Sequence, residues 1–368
     1  LRKALNVIHE GFFLSHYKNL HRYLAETGTV GKDLISQIKK QAAQLMGDHN
    51  LNIKIVGITN SRKMVLDEDG IDLDNYQAIL NSGEKADLDS FLAGMKRMNL
   101  RNQVFIDCTA SEFVSGYYSK LFDQYVSVVT AKKIACSSSD SLYHERKMRS
   151  RQKGLKFIFE TNAGAGLPII NTINDLIRSG DRILALDAVL SGTLNFIFNT
   201  LSEDIPMSRA IEMARDKGFS EPDPRIDLSG QDVMRKLLIL SRESGYKLEE
   251  KDVEMKTFLP GSCFEGDIED FWKEVRLLDR EFEEKRKVLE ENDRRWRFVA
   301  SLRDGKGKVE LLEVDRSHPA YELAASNNIV LITTERYREE PMVIRGYGAG
   351  AAVTAAGIFA DIIRVANV

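Results

Sequence analysis

The chain has 368 residues, enough for two domains or one elaborated α/β domain with a large core. Its 43% hydrophobic and 29% charged residues are ordinary for a soluble globular protein. Its 52 basic residues against 55 acidic ones leave a net charge of −3, so no bulk attraction to nucleic acid or an anionic membrane is expected.

The opening stretch LRKALNVIHEGFFLSHY carries Leu5, Ile8, Phe12 and Phe13 at helical spacing and reads as a helix over 1–17. YLA is a short apolar run before the turn LAETGTVGKDL. KDLISQIKKQAAQL puts Leu34, Ile35, Ile38, Ala42 and Leu45 on one helical face. NIKIVGI is β-branched and predicts a strand, after which TNSRK turns the chain. VFIDCTA and YVSVVTA are further short strands that end in loops of small residues, and KFIFETNAGAGLP is a strand running into a glycine loop. Strands alternating with helices in this way predict a doubly wound parallel sheet.

The pattern changes after Pro168. ILALDAVLSGTLNFIFNTL reads as strand, tight turn and helix, and MSRAIEMARDKG as a helix closed by Gly218. FSEPDPRIDLSG holds two prolines and is expected to be irregular, followed by the helix QDVMRKLLILSRES. Residues 267–291 read as one long charged helix with Phe271, Val275, Leu278 and Phe282 as its apolar stripe. RFVASLRDG, KVELLEV and NIVLITTERY alternate and predict an antiparallel sheet. VIRGYGAGAAVTAAGIFADIIRVA finishes the chain as strand, glycine turn and apolar helix. No run approaches the roughly 18 apolar residues of a membrane span. Leu1-Arg2-Lys3 leads into an amphipathic stretch, so no signal peptide is expected, and the start without methionine reads as a piece of something longer. Cys108, Cys136 and Cys263 are too few and too scattered for a disulfide framework or a zinc ribbon, and favour a reducing compartment.

Five stretches carry chemistry. Gly28 and Gly31 fill two places of a dinucleotide-type glycine turn, but Glu26 holds the first, so a plain strand-to-helix turn competes with a nucleotide site. Arg62 and Lys63 end the second strand where an acidic residue would meet a ribose 2′-hydroxyl, which suits a 2′-phosphate; a solvated basic loop is the alternative. GYGAGAAVTAAG is a second glycine turn opening a helix, suited to phosphate, to close helix packing, or to both. VVTAKKIA puts Lys132 and Lys133 past the end of a parallel strand, where ligands of open α/β sheets lie; a surface pair is the other reading.

EPDPRIDLSGQDVMRK gathers Glu221, Asp223, Asp227, Asp232 and Lys236 around a proline-stiffened loop. Ser229 and Asp232 resemble a capping box, so the helix is expected to start near Gly230, with Asp232 and Lys236 at i, i+4. An exposed ion pair of that kind contributes only about 0.3–0.5 kcal/mol. Lys236 directly precedes LLIL, however, so its face borders the core. There burial and a carboxylate pull its pKa in opposite directions, which makes a good proton handler.

DCTA, VVTAKKIA, ETNAGAGLP, SGTLNFI, GFSEPDPRIDLSGQDVMRKLLIL and RGYGAGAAVTAAGIFAD occur in that order, and together they resemble homoserine dehydrogenase from about residue 20 to the end. ALNVIHEGFFL is similar to the junction in bifunctional aspartokinase–homoserine dehydrogenases. The resemblance implies a Rossmann-type doubly wound parallel sheet with an inserted α+β catalytic and dimerisation region. It implies a linker helix over 1–17, a dinucleotide-binding domain over 18–165 and 340–368, and the catalytic and dimerisation region over 166–339. It implies reduction of aspartate β-semialdehyde to homoserine by NAD(P)H, with NADP as the cofactor and NAD as the alternative, in a cytoplasmic homodimer or higher oligomer behind an aspartokinase half. Neither a nucleic-acid nor a membrane partner is expected.

Carried over residue by residue, Glu221 and Asp227 would bind the substrate's amino group and Asp232 would orient it. Lys236 would be the catalytic lysine at the substrate oxygen and Lys133 the second, near the nicotinamide. Gly28, Thr29, Val30, Gly31, Thr109 and Gly350 would line the cofactor, beside Arg62 and Lys63 from the direct reading. Glu160 with the carbonyls of Ala163, Ala165 and Leu167 would hold a monovalent cation, sodium. The chain departs from the family pattern at Glu26, at His21 and Arg22 in the first strand, at Lys132 and at Ala163. The substrate motifs are intact, and Lys133, Glu221, Asp232 and Lys236 favour the enzyme; Glu26 and Arg22 favour the competing reading, a catalytically weakened module kept for assembly or regulation of a fused aspartokinase.

Overall fold

The computed structural model describes residues 18–366, so the helix expected over 1–17 lies outside the described residues. The chain folds as two units: the described residues up to Asn162 together with those from Gly350 onward, and Ala163–Ala349. It passes between the units after Asn162 and after Ala349, whereas the motifs placed the joints at 165 and 339. The second joint lies later because the strand at 342–347 is hydrogen-bonded into the second unit's sheet.

The first unit carries β1 (Lys18–Ala25), β2 (Leu51–Thr59), β3 (Lys63–Leu66), β4 (Glu84–Lys85), β5 (Gln103–Asp107), β6 (Ser127–Thr130) and β7 (Phe157–Ile158). They form one sheet in the order β4-β3-β2-β1-β5-β6-β7. β2, β1, β5, β6 and β7 run parallel, as the strand–helix alternation predicts. β3 and β4 add an antiparallel edge. β1 has β2 on one side and β5 on the other, so the direction of winding switches beside it. In open sheets of this kind ligands gather outside the carboxyl ends of the strands at such a switch.

Helix Thr29–His49 buries Leu34, Ile35 and Ile38 against β1, β2 and the C-terminal helix Ala351–Val365, which contributes Ala355, Ile358 and Ile362. Ala42 is exposed, but Leu45 beyond it packs against Leu20, Leu51 and Ala366, so the predicted face continues to the helix end. The second helix is built of small residues near its start, which brings the two helices together. Gln37 Nε2 donates to the Ala352 carbonyl at 2.9 Å where they meet.

His21 and Arg22 do not break β1. Arg22 is fully buried, and its guanidinium donates to the carbonyls of Asn102 at 2.9 Å, His21 at 3.3 Å and Ile362 at 3.4 Å. Burial pushes its pKa down to about 9. The strand survives because backbone oxygens take these donors.

The second unit carries β8 (Ile183–Val189), β9 (Val253–Met255), β10 (Arg295–Arg303), β11 (Lys306–Val314), β12 (Asn327–Thr334) and β13 (Met342–Tyr347), in the order β13-β12-β8-β10-β11-β9. All neighbours are antiparallel except β9 with β11. Helix Gln231–Glu243 packs on β10 and β11 and buries Val233, Met234, Leu237, Leu238, Ile239 and Leu240.

Three local expectations are corrected. The 267–291 stretch is two helices, Ile268–Leu277 and Asp279–Glu291. Asp279 begins the second and accepts from the N–H of Ser208 at 2.8 Å and its hydroxyl at 2.6 Å, which ties the break to the helix Met207–Asp216. The proline loop is not wholly irregular, because Pro224 starts a single turn, Arg225–Leu228. Its position suits Pro, which lacks the N–H that a first turn leaves unused. The capping box does not form. Gly230 is the N-cap with φ 75°, a left-handed conformation that glycine adopts freely, and Ser229 Oγ instead donates to the Ile226 carbonyl at 2.8 Å.

Candidate active site

In the second unit, Lys236 projects from the middle of helix Gln231–Glu243 and is 8% exposed. Its Nζ lies 2.9 Å from Asp232 Oδ2, one helical turn earlier, and donates to the Leu190 carbonyl at 2.7 Å. The i, i+4 spacing therefore yields a nearly buried ammonium held between a half-exposed carboxylate and the end of β8. Such a pair is far from the solvated ion pair that the spacing alone permits.

The loop before this helix brings the acidic residues together. Asp227 Oδ2 accepts the Glu221 N–H at 2.9 Å, and its Oδ1 accepts the Thr193 hydroxyl at 3.3 Å. Burial raises the Asp227 pKa above the usual carboxylate range. The two hydrogen bonds oppose that rise, and the charges of Glu221 and Asp232 add to it. Glu221 is exposed. Asp223, in contrast, is neutralised by Arg225, whose Nη2 stands 2.7 Å from Asp223 Oδ2, and is removed from the cluster. What remains is an acidic patch of Glu221, Asp227 and Asp232 that can receive a cation, next to one buried ammonium that can meet a developing oxyanion.

Neither Thr193 nor the Leu190 carbonyl stands out in the sequence. Both belong to the β8–helix turn around SGTLNFI, a quoted motif. Ser191 Oγ caps the helix Gly192–Thr200 by accepting the Leu194 N–H at 3.1 Å. Gly192 is required there, because a Cβ would lie 2.8 Å from the Ser326 carbonyl oxygen.

In the first unit, β1 ends at Ala25 and Glu26 takes φ 79°, the left-handed region that a glycine occupies without strain. A Cβ at Gly31 would lie 2.4 Å from the Glu26 carbonyl oxygen, so Gly31 allows the helix to close on the turn. The first helical hydrogen bond runs from Lys32 N–H to the Gly28 carbonyl at 2.9 Å. The N–H groups of Thr29, Val30 and Gly31 precede it, at the anion-attracting end of a 21-residue helix. These features fit a pyrophosphate. Glu26 opposes them, because its Oε1 accepts the Thr27 N–H at 3.0 Å and so lies over the same turn.

Asn60 Oδ1 accepts the N–H groups of Arg62 at 2.8 Å and Lys63 at 2.7 Å and fixes the bend after β2. Arg62 is exposed. Lys63 opens β3, and its ammonium donates to the Gly83 carbonyl at 2.8 Å. At the end of β5, Thr109 N–H donates to Asp107 Oδ1 at 2.8 Å. Asp107 was not anticipated; it is fully buried, accepts the Tyr118 hydroxyl at 2.5 Å, and has its pKa raised by burial. Lys133 follows β6 and is the N-cap of the short helix Ile134–Ser137. Gly350 has φ 118° and precedes helix Ala351–Val365.

Glu160 is 1% exposed, and its N–H donates to the buried Asp361 Oδ2 at 3.0 Å. Burial and the Glu160 charge push Asp361 up to about 7, against the Glu160 N–H and Arg364. Ala163, Ala165 and Leu167 belong to the second unit; Ala165 has φ 52°, and the Leu167 carbonyl accepts the Ile169 N–H at 2.9 Å. Among the described residues no group of three or more His, Cys, Asp or Glu side chains could hold a metal ion. No disulfide joins any of the three cysteines, and no helix of the described residues is long and apolar enough to cross a membrane.

Two family models match the chain: "Homoserine dehydrogenase, NAD binding domain" over residues 27–160 and "Homoserine dehydrogenase" over 168–363. A bifunctional aspartokinase/homoserine dehydrogenase from Haemophilus influenzae is 39% identical over 98% of this chain and 44% of its own length. Bifunctional aspartokinase/homoserine dehydrogenase 2, chloroplastic, from Arabidopsis thaliana is 38% identical over 99% of this chain and 40% of its own length. The chain thus spans less than half the length of these curated relatives. Among solved structures, a Candida auris protein of unknown function superposes with a TM-score of 0.87 at 28% identity, covering 95% of this chain and 99% of that one. A hyperthermophilic archaeal homoserine dehydrogenase in complex with NADPH superposes with a TM-score of 0.74 at 22% identity, covering 95% and 98%, a likeness of fold.

Proposed function

The chain belongs to the homoserine dehydrogenase family, an oxidoreductase family with an NAD-binding domain, and from that premise we propose that it reversibly reduces L-aspartate 4-semialdehyde to L-homoserine with NADPH. The observation that carries the reading is the buried Lys236 ammonium held by Asp232 and Leu190 beside the acidic patch. The nicotinamide cofactor supplies the hydride when bound.

Glu221 and Asp227 answer the ammonium of the amino-acid substrate, and Asp232 keeps Lys236 charged and aimed. Lys236 stabilises the negative charge that grows on the carbonyl oxygen and gives that oxygen a proton. Lys133 is assigned the second lysine role, toward the nicotinamide. Gly28, Thr29, Val30, Gly31, Thr109 and Gly350 are the proposed cofactor contacts, with Arg62 and Lys63 for a 2′-phosphate; the exposed Arg62 favours NADP over NAD.

A monovalent cation, sodium, is proposed on Glu160, Ala163, Ala165 and Leu167. An aspartokinase half in the longer protein, a homodimer or higher oligomer and a cytoplasmic location complete the proposal. The relatives' bifunctional names support the first of these. The weakened-module reading draws on Glu26 alone, since Arg22 leaves β1 intact. The test is homoserine-dependent reduction of NADP, followed by absorbance. A chain that binds NADPH yet gives no homoserine-dependent signal would favour the module.

A further inference from the structure

Asn328 lies near the start of β12 and is completely buried, yet neither Nδ2 nor Oδ1 of its amide has a hydrogen-bond partner. Most buried side-chain amides are satisfied, so an orphaned pair calls for a reason. Its position supplies one. Asn328 pairs with Gly346 of β13. Its amide fills the space that a side chain on residue 348 would occupy: a Cβ there would lie 1.9 Å from Nδ2, 2.0 Å from Cγ and 2.5 Å from Oδ1. Only glycine at 348 permits that approach.

The sheet register gives the other neighbour. Ile329 pairs with Val189, so one step further along these antiparallel strands Asn328 stands abreast of Leu190, whose carbonyl holds Lys236. Asn328 shares a sheet face with Val330 and Ile332, which pair with Ala188 and Leu186, and Leu186 pairs with Leu302. Leu302 lies opposite Gly307, whose missing Cβ faces Leu237. The amide therefore projects to the side of the sheet that carries the Lys236 helix.

We propose that Asn328 is a positioning residue for the cofactor turn: its amide takes its hydrogen bonds from the peptide groups of Tyr347–Ala349 when this run settles on NADPH. The inference rests on the reading that the turn ending at Gly350 meets the cofactor. Glycines at 346, 348 and 350 leave the run free to adjust, and Gly350 already has φ 118°. A donor and an acceptor sit unused against those peptide groups, so a ligand that fixes the run in register recovers both bonds. The amide then links the proposed cofactor turn to the strand end that aims Lys236.

The test uses Asn328→Leu, close in shape but apolar, with two readouts: melting temperature without ligand and NADPH affinity by titration calorimetry. Removing two orphaned polar atoms should leave the unliganded Tm equal or higher, while NADPH binding weakens about tenfold or more. At saturating NADP, KM for homoserine should stay unchanged. Asn328→Ala gives the same affinity reading where leucine does not fit. Wild-type NADPH affinity in either variant overturns the proposal, as does a lowered unliganded Tm with affinity intact, which marks an ordinary core residue. No NADPH binding by the unsubstituted chain overturns the cofactor reading itself.

Discussion

The carbonyl oxygen of Glu26 stands 2.4 Å from where a Cβ of Gly31 would lie, so these two residues are the tight closure of the first glycine turn. The closure needs a left-handed backbone at position 26, and a glutamate supplies it at φ 79°. The carboxylate then folds back onto the Thr27 N–H at 3.0 Å. It occupies a donor of the very turn that a pyrophosphate would use, and it adds a charge of the same sign.

Glu26→Gly should therefore tighten NADPH binding about tenfold, the equivalent of about 1.4 kcal/mol. Left-handed strain of roughly 1–2 kcal/mol is relieved, but glycine's extra freedom in the unfolded chain offsets about 0.4–1 kcal/mol of it. The Tm should rise only slightly. Calorimetric titration of both proteins with NADPH decides the matter, and equal or weaker binding by the glycine variant would remove this turn from the cofactor site.

Lys236→Ala should lower kcat by about 10²–10⁴-fold, the usual range for a positioned acid–base group, with little change in NADPH affinity. The contact matters most as charge develops on oxygen. Steady-state kinetics with aspartate semialdehyde measure it, and near wild-type kcat would transfer the role to Lys133.

Asp227 yields a pH prediction. Its pKa is raised by burial, so the protonated form persists above the usual aspartate range near 3.9. The charged form is the one that receives the substrate's ammonium. The kcat/KM for homoserine should thus fall as pH drops through a value above 3.9, and Asp227→Asn should abolish that limb while raising KM. For stability the sign is opposite: a raised carboxyl pKa stabilises the fold fully below the unfolded value and loses that contribution as pH rises through the folded one. A pH profile whose acid limb is unchanged in Asp227→Asn would take this residue out of substrate binding.

Arg62 and Lys63 should separate. Arg62 is exposed at the end of β2, while the Lys63 ammonium is engaged by the Gly83 carbonyl at 2.8 Å. Arg62→Ala should weaken NADPH about tenfold and leave NADH nearly unchanged, as loss of one charge-assisted contact implies. Lys63→Ala should do less. Fluorescence titrations with both nucleotides check it; equal losses for NADH and NADPH would mean that Arg62 never meets a 2′-phosphate.

Much of this was legible because strand and helix periods differ. The parallel strands before Pro168 and the antiparallel ones after it follow from run length and alternation. The Asp232–Lys236 pair follows from i, i+4 spacing. Other features are invisible to such local patterns. The split at Leu278 depends on Asp279 accepting from Ser208, a residue 71 positions away. The failure of the Ser229–Asp232 capping box reflects the one-turn helix before it, which leaves Gly230 in a left-handed conformation. Asp107, Asp361 and Asn328 acquire their character from burial, which no spacing reveals. Arg22 read as a flaw in a strand because its partners, backbone carbonyls at 102 and 362, lie far along the chain.

The most direct test of the central claim is to incubate the chain with aspartate semialdehyde and NADPH, identify the product by chromatography, and count it against NADPH consumed. The account predicts L-homoserine, one molecule for each NADPH oxidised, with formation lost in Lys236→Ala. NADPH bound without homoserine formed, or product formed equally by the Lys236→Ala variant, would contradict it.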